Sequence, residues 1–169
     1  MPSVLFVCTG NQFRSPIAAA AFMKKLNDEG GAEGWRVESA GTWASINHPP
    51  LPMALQAAAL CGLSLEGHKI RSVEASILSC ADLILVMERG QKEAILSEFP
   101  GVGKKVFLLS EVAEGMAFDI PDPLASEEDL SEEIAKEVCA LVGKGFHKIC
   151  ELAQTLSTQA EGSRSYGNF

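Results

Sequence analysis

The residues best suited to catalysis lie in one short segment near the amino terminus, FVCTGNQFRSP at residues 6–16. Cys8 comes first in this segment, five residues separate it from Arg14, and Ser15 follows directly. A thiol beside converging backbone N–H groups is held as the thiolate, which is the nucleophilic form. A guanidinium binds two oxygens of an anion with its planar fork. The segment therefore predicts a loop that attacks a tetrahedral oxyanion, with the Ser15 hydroxyl donating to the thiolate.

The same loop also has a simpler interpretation, because a free cysteine at the end of a strand commonly fills space in the core. The spacing of Cys8 and Arg14 is by itself a weak pattern, although none of the other four cysteines has an arginine six residues later. The context favours catalysis. The apolar run at residues 3–7 predicts a buried strand before the loop, and Ser15 and Pro16 predict the N-cap and first position of a following helix. Open α/β sheets bind ligands at such strand ends.

The rest of the chain alternates short apolar runs with helical patterns, which predicts βαβ units and a four-stranded parallel sheet. The predicted strands are residues 3–7, 35–41, 82–87 and 104–109. Beyond the first helix, the predicted helices fall within residues 49–62, 67–80, 88–99 and 127–156, and the last is long and amphipathic. A long loop over residues 110–127 precedes this last helix.

Composition limits the classes to which the chain can belong. With 169 residues, 47% of them hydrophobic, it is large enough for one well-buried domain, which we expect at residues 1–157 with a flexible tail at 158–169. The formal net charge of -8 argues against nucleic acid or an anionic membrane as partner. Five cysteines, with no signal peptide and no zinc-ligand spacing, predict reduced thiols and a cytoplasmic location.

Five segments make the chain resemble the low-molecular-weight protein tyrosine phosphatases. They are VLFVCTGNQFRSPIA, VESAGT, GLSLEGHKIR, DLILVME and DIPDP, and they occur in the same order as in that family. The resemblance implies a flavodoxin-like three-layer sandwich around a four-stranded parallel sheet, which agrees with the strand pattern. It also implies a phosphorylated protein as substrate, inorganic phosphate as product, and no cofactor or metal. We expect a monomer, with a weak dimer as the alternative.

The family mechanism transfers to matching positions. Cys8 attacks phosphorus to form a cysteinyl-phosphate, Arg14 holds the equatorial oxygens, and Asp122 protonates the leaving oxygen and then deprotonates water. The implied phosphate-binding residues are Thr9, Gly10, Asn11, Gln12, Phe13 and Ser15. Chemistry alone does not choose between Asp119 and Asp122. The family places its acid directly before a proline, which selects Asp122.

Other positions match supporting and specificity features of the family. Asn11, Ser15, Ser39 and His68 match a hydrogen-bond network that holds the loop in a strained shape. Phe13 replaces the second cysteine that many relatives carry, so a vicinal disulfide switch is absent. Leu124 stands where the family often has an aromatic residue, and Trp43 lies near the position of a rim aromatic. We expect both side chains at the rim of the cleft.

Several alternatives remain beside a protein-tyrosine phosphatase. A protein-arginine phosphatase of the same family fits TWASINHP and KKVFLLSEVAEG, although its selectivity residue is a threonine where this chain has Gln12. An arsenate reductase of the same fold requires two further cysteines after the third strand, and LVMERGQKEAIL contains none. A non-catalytic phosphate-binding module requires neither Cys8 nor Asp122. The sequence therefore favours phosphotyrosine hydrolysis first and phosphoarginine hydrolysis second.

Overall fold

Four parallel strands form a sheet in the order β2-β1-β3-β4 in the computed structural model, which describes residues 1–165. The strands are β1 (Ser3–Cys8), β2 (Arg36–Gly41), β3 (Leu83–Val86) and β4 (Val106–Leu108). The register between β1 and β2 runs from Ser3 opposite Arg36 to Cys8 opposite Gly41. Every residue of β1 and β3 is buried, as strands covered on both faces require. The predicted parallel sheet is confirmed.

Helices cover both faces of the sheet. They are α1 (Arg14–Asp28), α2 (Pro52–Leu60), α3 (Ala75–Cys80), α4 (Arg89–Glu98), α5 (Leu109–Glu114) and α6 (Ser131–Ser165), with short 3₁₀ turns at Ala32–Gly34, Pro100–Lys105 and Pro123–Ala125. Val4, Phe6 and Cys8 of β1 pack on the face covered by α1, α2, α5 and α6. Leu5 and Val7 pack on the face covered by α3 and α4. This alternation along β1 gives the expected three-layer sandwich.

Two predicted boundaries near the site are wrong. α1 begins at Arg14, so Ser15 is not its N-cap but a fully buried residue of the first turn. Its hydroxyl contacts Cys8 instead of capping the helix, and a capping pattern in the local sequence cannot reveal that contact. The pattern also predicts a loop from residue 110, but α5 occupies its start. α5 has six residues, too few for a clear helical period, and ends at Gly115, whose φ of 76° is left-handed.

α6 ends later than its hydrophobic pattern predicts. The pattern ends at residue 156, whereas the helix continues to Ser165, so the first part of the predicted flexible tail is helical. Thr158 donates its hydroxyl to the carbonyl of Gln154, one turn earlier. Polar residues suffice here because extending an existing helix requires no new nucleation. The rest of the predicted tail, residues 166–169, lies outside the described residues.

No helix within residues 1–165 is long and apolar enough to cross a bilayer.

Candidate active site

The loop of residues 8–14 joins the carboxyl end of β1 to the start of α1. Asn11 in this loop has a φ of 54°, a left-handed conformation that is strained for most residues with a side chain. Within residues 1–165, none of the backbone N–H groups of residues 9–13 donates a hydrogen bond to another protein group. Together with the first turn of α1, these uncommitted donors form a site suited to an anion.

Cys8 lies at the base of the loop and is 2% exposed. Its Sγ is 3.0 Å from Oγ of Ser15. Nδ2 of Asn11 donates to the same Oγ at 3.0 Å, so the Ser15 proton is available to another acceptor. Two acceptors compete for it, Sγ of Cys8 and the carbonyl of Ala40 at 3.3 Å. A thiolate can only accept, so ionisation of Cys8 directs the Ser15 proton to sulfur and stabilises the anion.

The strained conformation of Asn11 is fixed by contacts on every side of the residue. Nδ2 of Asn11 also donates to Oγ of Ser39 at 2.9 Å, and its Oδ1 accepts from the backbone N–H of Arg71 at 2.8 Å. Nε2 of His68 lies 2.9 Å from the carbonyl oxygen of Asn11. The structure thus brings together all four residues expected to support the loop. Arg71 joins them through its backbone, a contact that carries no side-chain signal in the sequence.

Arg14 is 1% exposed and is held by carboxylates on two sides. Its Nη1 donates to Oε1 of Glu88 and, at 2.7 Å, to the carbonyl of Ile120. Its Nη2 lies 3.2 Å from Oδ2 of Asp122. A buried guanidinium requires such compensation, because an unpaired buried charge is costly. Sequence reasoning missed the role of Glu88; the available signal was an acidic residue directly after a buried strand, at the carboxyl edge of the sheet.

The two aspartates of the DIPDP segment have different positions. Oδ1 of Asp119 accepts from the backbone N–H of Arg89 at 2.8 Å, which commits this carboxylate to the first residue of α4. Oδ1 of Asp122 accepts from the N–H of Leu124 at 3.0 Å, and its other oxygen faces Arg14. The cleft is lined by Cys8, Gly10, Gln12, Phe13, Arg14, Asp122 and Leu124. Asp122 therefore shares the cleft with Cys8, and Asp119 is not among the described residues that line it.

The two residues expected at the rim are placed differently. Leu124 lines the cleft and is 47% exposed. Trp43 contacts the loop through its backbone, where its N–H donates to the carbonyl of Thr9 at 2.9 Å. Its side chain is largely exposed and is not among the described residues that line the cleft. A rim role for Trp43 therefore stays a prediction.

Comparison with known proteins decides the family. The family model described as low molecular weight phosphotyrosine protein phosphatase matches residues 3–160. The chain belongs to this family. Within the described residues of this low-molecular-weight phosphatase, no group of three His, Cys, Asp or Glu side chains is arranged to hold a metal ion.

The relatives of this low-molecular-weight phosphatase include two named activities. It is 37% identical over 144 residues to the probable low molecular weight protein-tyrosine-phosphatase EpsP of Ralstonia nicotianae, which covers 83% of this chain and 93% of that protein. It is 34% identical over 135 residues to the protein-arginine-phosphatase of Bacillus subtilis, with coverage of 80% and 88%. A solved structure of YwlE arginine phosphatase, a mutant with a phosphorylated active-site serine, has a TM-score of 0.78 at 32% identity and covers 92% of this chain and 95% of that chain. The predicted family and the hydrolase class are confirmed.

Proposed function

We propose that this protein hydrolyses phosphotyrosine in proteins through a cysteinyl-phosphate intermediate. The observation that carries the proposal is the convergence of Cys8, Arg14 and Asp122 on one cleft, under a loop whose N–H groups are uncommitted within residues 1–165. A nucleophile, a holder for the phosphoryl oxygens and a proton donor are the groups that metal-free phosphoryl transfer requires. Membership of the phosphatase family supports the same reaction.

In the first step, the Cys8 thiolate attacks phosphorus. The S–P bond forms as the ester P–O bond breaks, and the leaving phenolate oxygen takes the proton of Asp122. Arg14 and the N–H groups of residues 9–14 hold the three equatorial oxygens, on which charge accumulates in the transition state. The products of this step are free tyrosine hydroxyl and phosphorylated Cys8.

In the second step, water hydrolyses the cysteinyl-phosphate. Asp122, now a carboxylate, takes a proton from the water as its oxygen bonds to phosphorus and the S–P bond breaks. Cys8 leaves as a thiolate, to which Ser15 donates its hydroxyl at the 3.0 Å separation seen here. Inorganic phosphate is released and Asp122 is again protonated, so the cycle closes. The YwlE mutant with its phosphorylated active-site serine supports a covalent phosphoenzyme in such a relative.

Hydrolysis of phosphoarginine is the second candidate. Similarity to the protein-arginine-phosphatase of Bacillus subtilis favours it, and so does Leu124, an aliphatic residue in the cleft wall. Gln12 in the same wall argues against simple transfer of that specificity, because the resemblance to the arginine phosphatases implies a threonine as their selectivity residue at this position. Release of phosphate from matched phosphotyrosine and phosphoarginine peptides separates the two candidates.

The proposal places the enzyme in the cytoplasm as a monomer that acts on phosphoproteins and not on nucleic acid. The net charge of -8 supports a protein substrate over a polyanion. All five cysteines are free, which agrees with a reducing compartment.

The test is hydrolysis of p-nitrophenyl phosphate by Cys8→Ser, Arg14→Lys and Asp122→Asn. We expect Cys8→Ser to be inactive and Asp122→Asn to lose about 10²- to 10⁴-fold in kcat, because the leaving oxygen has no proton donor. Asp119→Asn is the matched control, since an amide oxygen still accepts from the N–H of Arg89. Phosphate binding by an inactive wild-type protein would instead indicate a binding module.

A further inference from the structure

Gln91 is a buried amide in the first turn of α4, with 3% of its surface exposed. Its Oε1 accepts from the backbone N–H of Met87 at 2.9 Å and from that of Glu88 at 3.0 Å. Its Nε2 donates to Oγ1 of Thr9 at 3.2 Å and to Oε1 of Glu88 at 3.5 Å. A primary amide has two acceptor and two donor positions, so all four are occupied.

Both donor contacts of Gln91 reach groups beside the reacting atoms. Thr9 follows the nucleophile directly, and Oε1 of Glu88 is the same oxygen that binds Nη1 of Arg14. Gln91 therefore connects the start of the catalytic loop with the carboxylate that anchors the arginine at its end. These bonds are partly buried, so they restrict geometry more strongly than fully exposed bonds would.

We propose that Gln91 is a positioning residue for phosphoryl transfer. It holds Thr9 and Glu88 at the separation at which Arg14 and the loop N–H groups bind the same phosphoryl group. This inference rests on the proposed function, because it assumes that the loop binds phosphate. An amide suits the position because a carboxylate would face Glu88 with a like charge, and methionine would donate nothing.

A purely structural role for Gln91 is the competing interpretation. Gln91 is the N3 residue of a capping box in which Glu88 is the N-cap, and this arrangement stabilises the start of α4. The two roles use different atoms: capping uses Oε1, whereas positioning uses the Nε2 donors. Gln91→Glu separates them, because glutamate is a favourable capping-box residue that keeps the acceptors and loses the donors.

The experiment compares wild type, Gln91→Glu, Gln91→Met and Thr9→Val. For each we measure kcat and KM on p-nitrophenyl phosphate, the competitive inhibition constant of inorganic phosphate, and Tm. We expect both Gln91 variants to lose about 10- to 100-fold in kcat/KM and to bind phosphate more weakly, as expected for lost bonds to charged or reacting groups. Both variants should also lower Tm, Gln91→Met because it loses the capping acceptor and Gln91→Glu because it places a second carboxylate beside Glu88. The double variant Gln91→Met with Thr9→Val should lose less than the product of the two single effects.

Ser3→Ala is the matched control. Ser3 is also buried, and its Oγ lies 3.1 Å from the carbonyl oxygen of Cys80 and 2.9 Å from Oδ2 of Asp82, but it lies at the opposite end of β1 from the loop. This variant should lower Tm and leave phosphate inhibition within about twofold, because no contact of Ser3 reaches the site.

The outcomes separate the two proposals. A wild-type protein that neither hydrolyses the ester nor is inhibited by phosphate refutes the proposed function. If wild type is active and the Gln91 variants keep phosphate inhibition and kcat/KM within twofold of it, Gln91 only caps α4 and the inference fails. Additive effects in the double variant also overturn it. If one Gln91 variant does not fold, the other variant and Thr9→Val decide, since unchanged phosphate inhibition in Thr9→Val removes the proposed link.

Discussion

Replacing Gly41 with alanine tests how tightly the end of β2 supports the catalytic loop. A Cβ at this position would lie 2.5 Å from the carbonyl oxygen of Thr9, 2.9 Å from the backbone N of Asn11 and 3.0 Å from the carbonyl carbon of Gly10. All three are backbone atoms, so no side-chain rotation relieves the contacts. Ordinary contact begins at 3.4 Å, so the Thr9 oxygen must retreat by the difference, about 0.9 Å.

The loop takes up this displacement because Gly41 is held from the other side. Its N–H donates to the carbonyl of Arg71 at 2.9 Å, and its own carbonyl accepts from the N–H of Val73 at 2.8 Å. A displacement of about 1 Å in groups that position a reacting substrate can cost about 10²-fold in rate. Overpacking of this kind also lowers the free energy of unfolding by about 1–3 kcal/mol. We therefore expect Gly41→Ala to lose about 10²-fold in kcat/KM.

The assay is kcat/KM on p-nitrophenyl phosphate together with phosphate inhibition and Tm. Gly143→Ala is the matched control, because the nearest atom to its Cβ is the flexible Cε of Lys25 at 3.9 Å. Alanine in a helix interior is favoured over glycine by about 0.5–1 kcal/mol, so this variant should be as active as wild type and slightly more stable. Activity of Gly41→Ala within threefold of wild type would show that the loop does not depend on this contact.

Three further predictions concern the helical layer. Gly145→Ala should lower the free energy of unfolding by about 1–3 kcal/mol in urea titration, because its Cβ would lie 2.9 Å from Cα of Ala113 in α5. Burial, together with the nearby Cys61, raises the pKa of Cys139 to about 12, and burial raises the pKa of Cys150 to about 11. At neutral pH both thiols should therefore react with iodoacetamide more slowly than exposed Cys80, as measured by mass spectrometry. Both thiol pKa values are higher in the folded protein than the unfolded value near 9, so their contribution to folding stability is fully present below pH 9 and is lost as the pH rises through about 11 and 12. Tm should therefore fall above pH 9, and it should fall less steeply in Cys139→Ser, which lacks one of the two thiols.

The parts of the site that are local in sequence could be predicted from it. The apolar run before Cys8 predicts a strand, and a helix pattern follows soon after Arg14. The short connection between the two elements therefore places the proposed nucleophile and the arginine on one loop. The parallel sheet followed in the same way from alternating strand and helix patterns. The resemblance to a family supplied Asp122, which the chemistry of the segment alone could not distinguish from Asp119.

The parts that depend on contacts between distant segments could not be predicted. Glu88 lies 74 positions from Arg14 in the chain, and Gln91 lies 82 positions from Thr9. Neither contact has a periodic or motif signal, because it arises only where β1 and β3 pair and their following loops meet. The end of α6 could not be predicted either. A helix that packing has already nucleated continues through the polar residues after residue 156, although these residues have no hydrophobic pattern.

In the proposed mechanism, the two carboxylates on Arg14 have different roles. Glu88 is held by Gln91 as well as by Arg14, so it is fixed in place. Asp122 meets Arg14 only through Nη2, at 3.2 Å, and this is a nitrogen that phosphoryl oxygens need in the proposed mechanism. When they take it, Asp122 loses this contact, and in the proposed mechanism its Oδ2 is then free to meet the leaving oxygen. Exchange of Asp122 for phosphate at Arg14 would therefore release the proposed acid as the substrate binds.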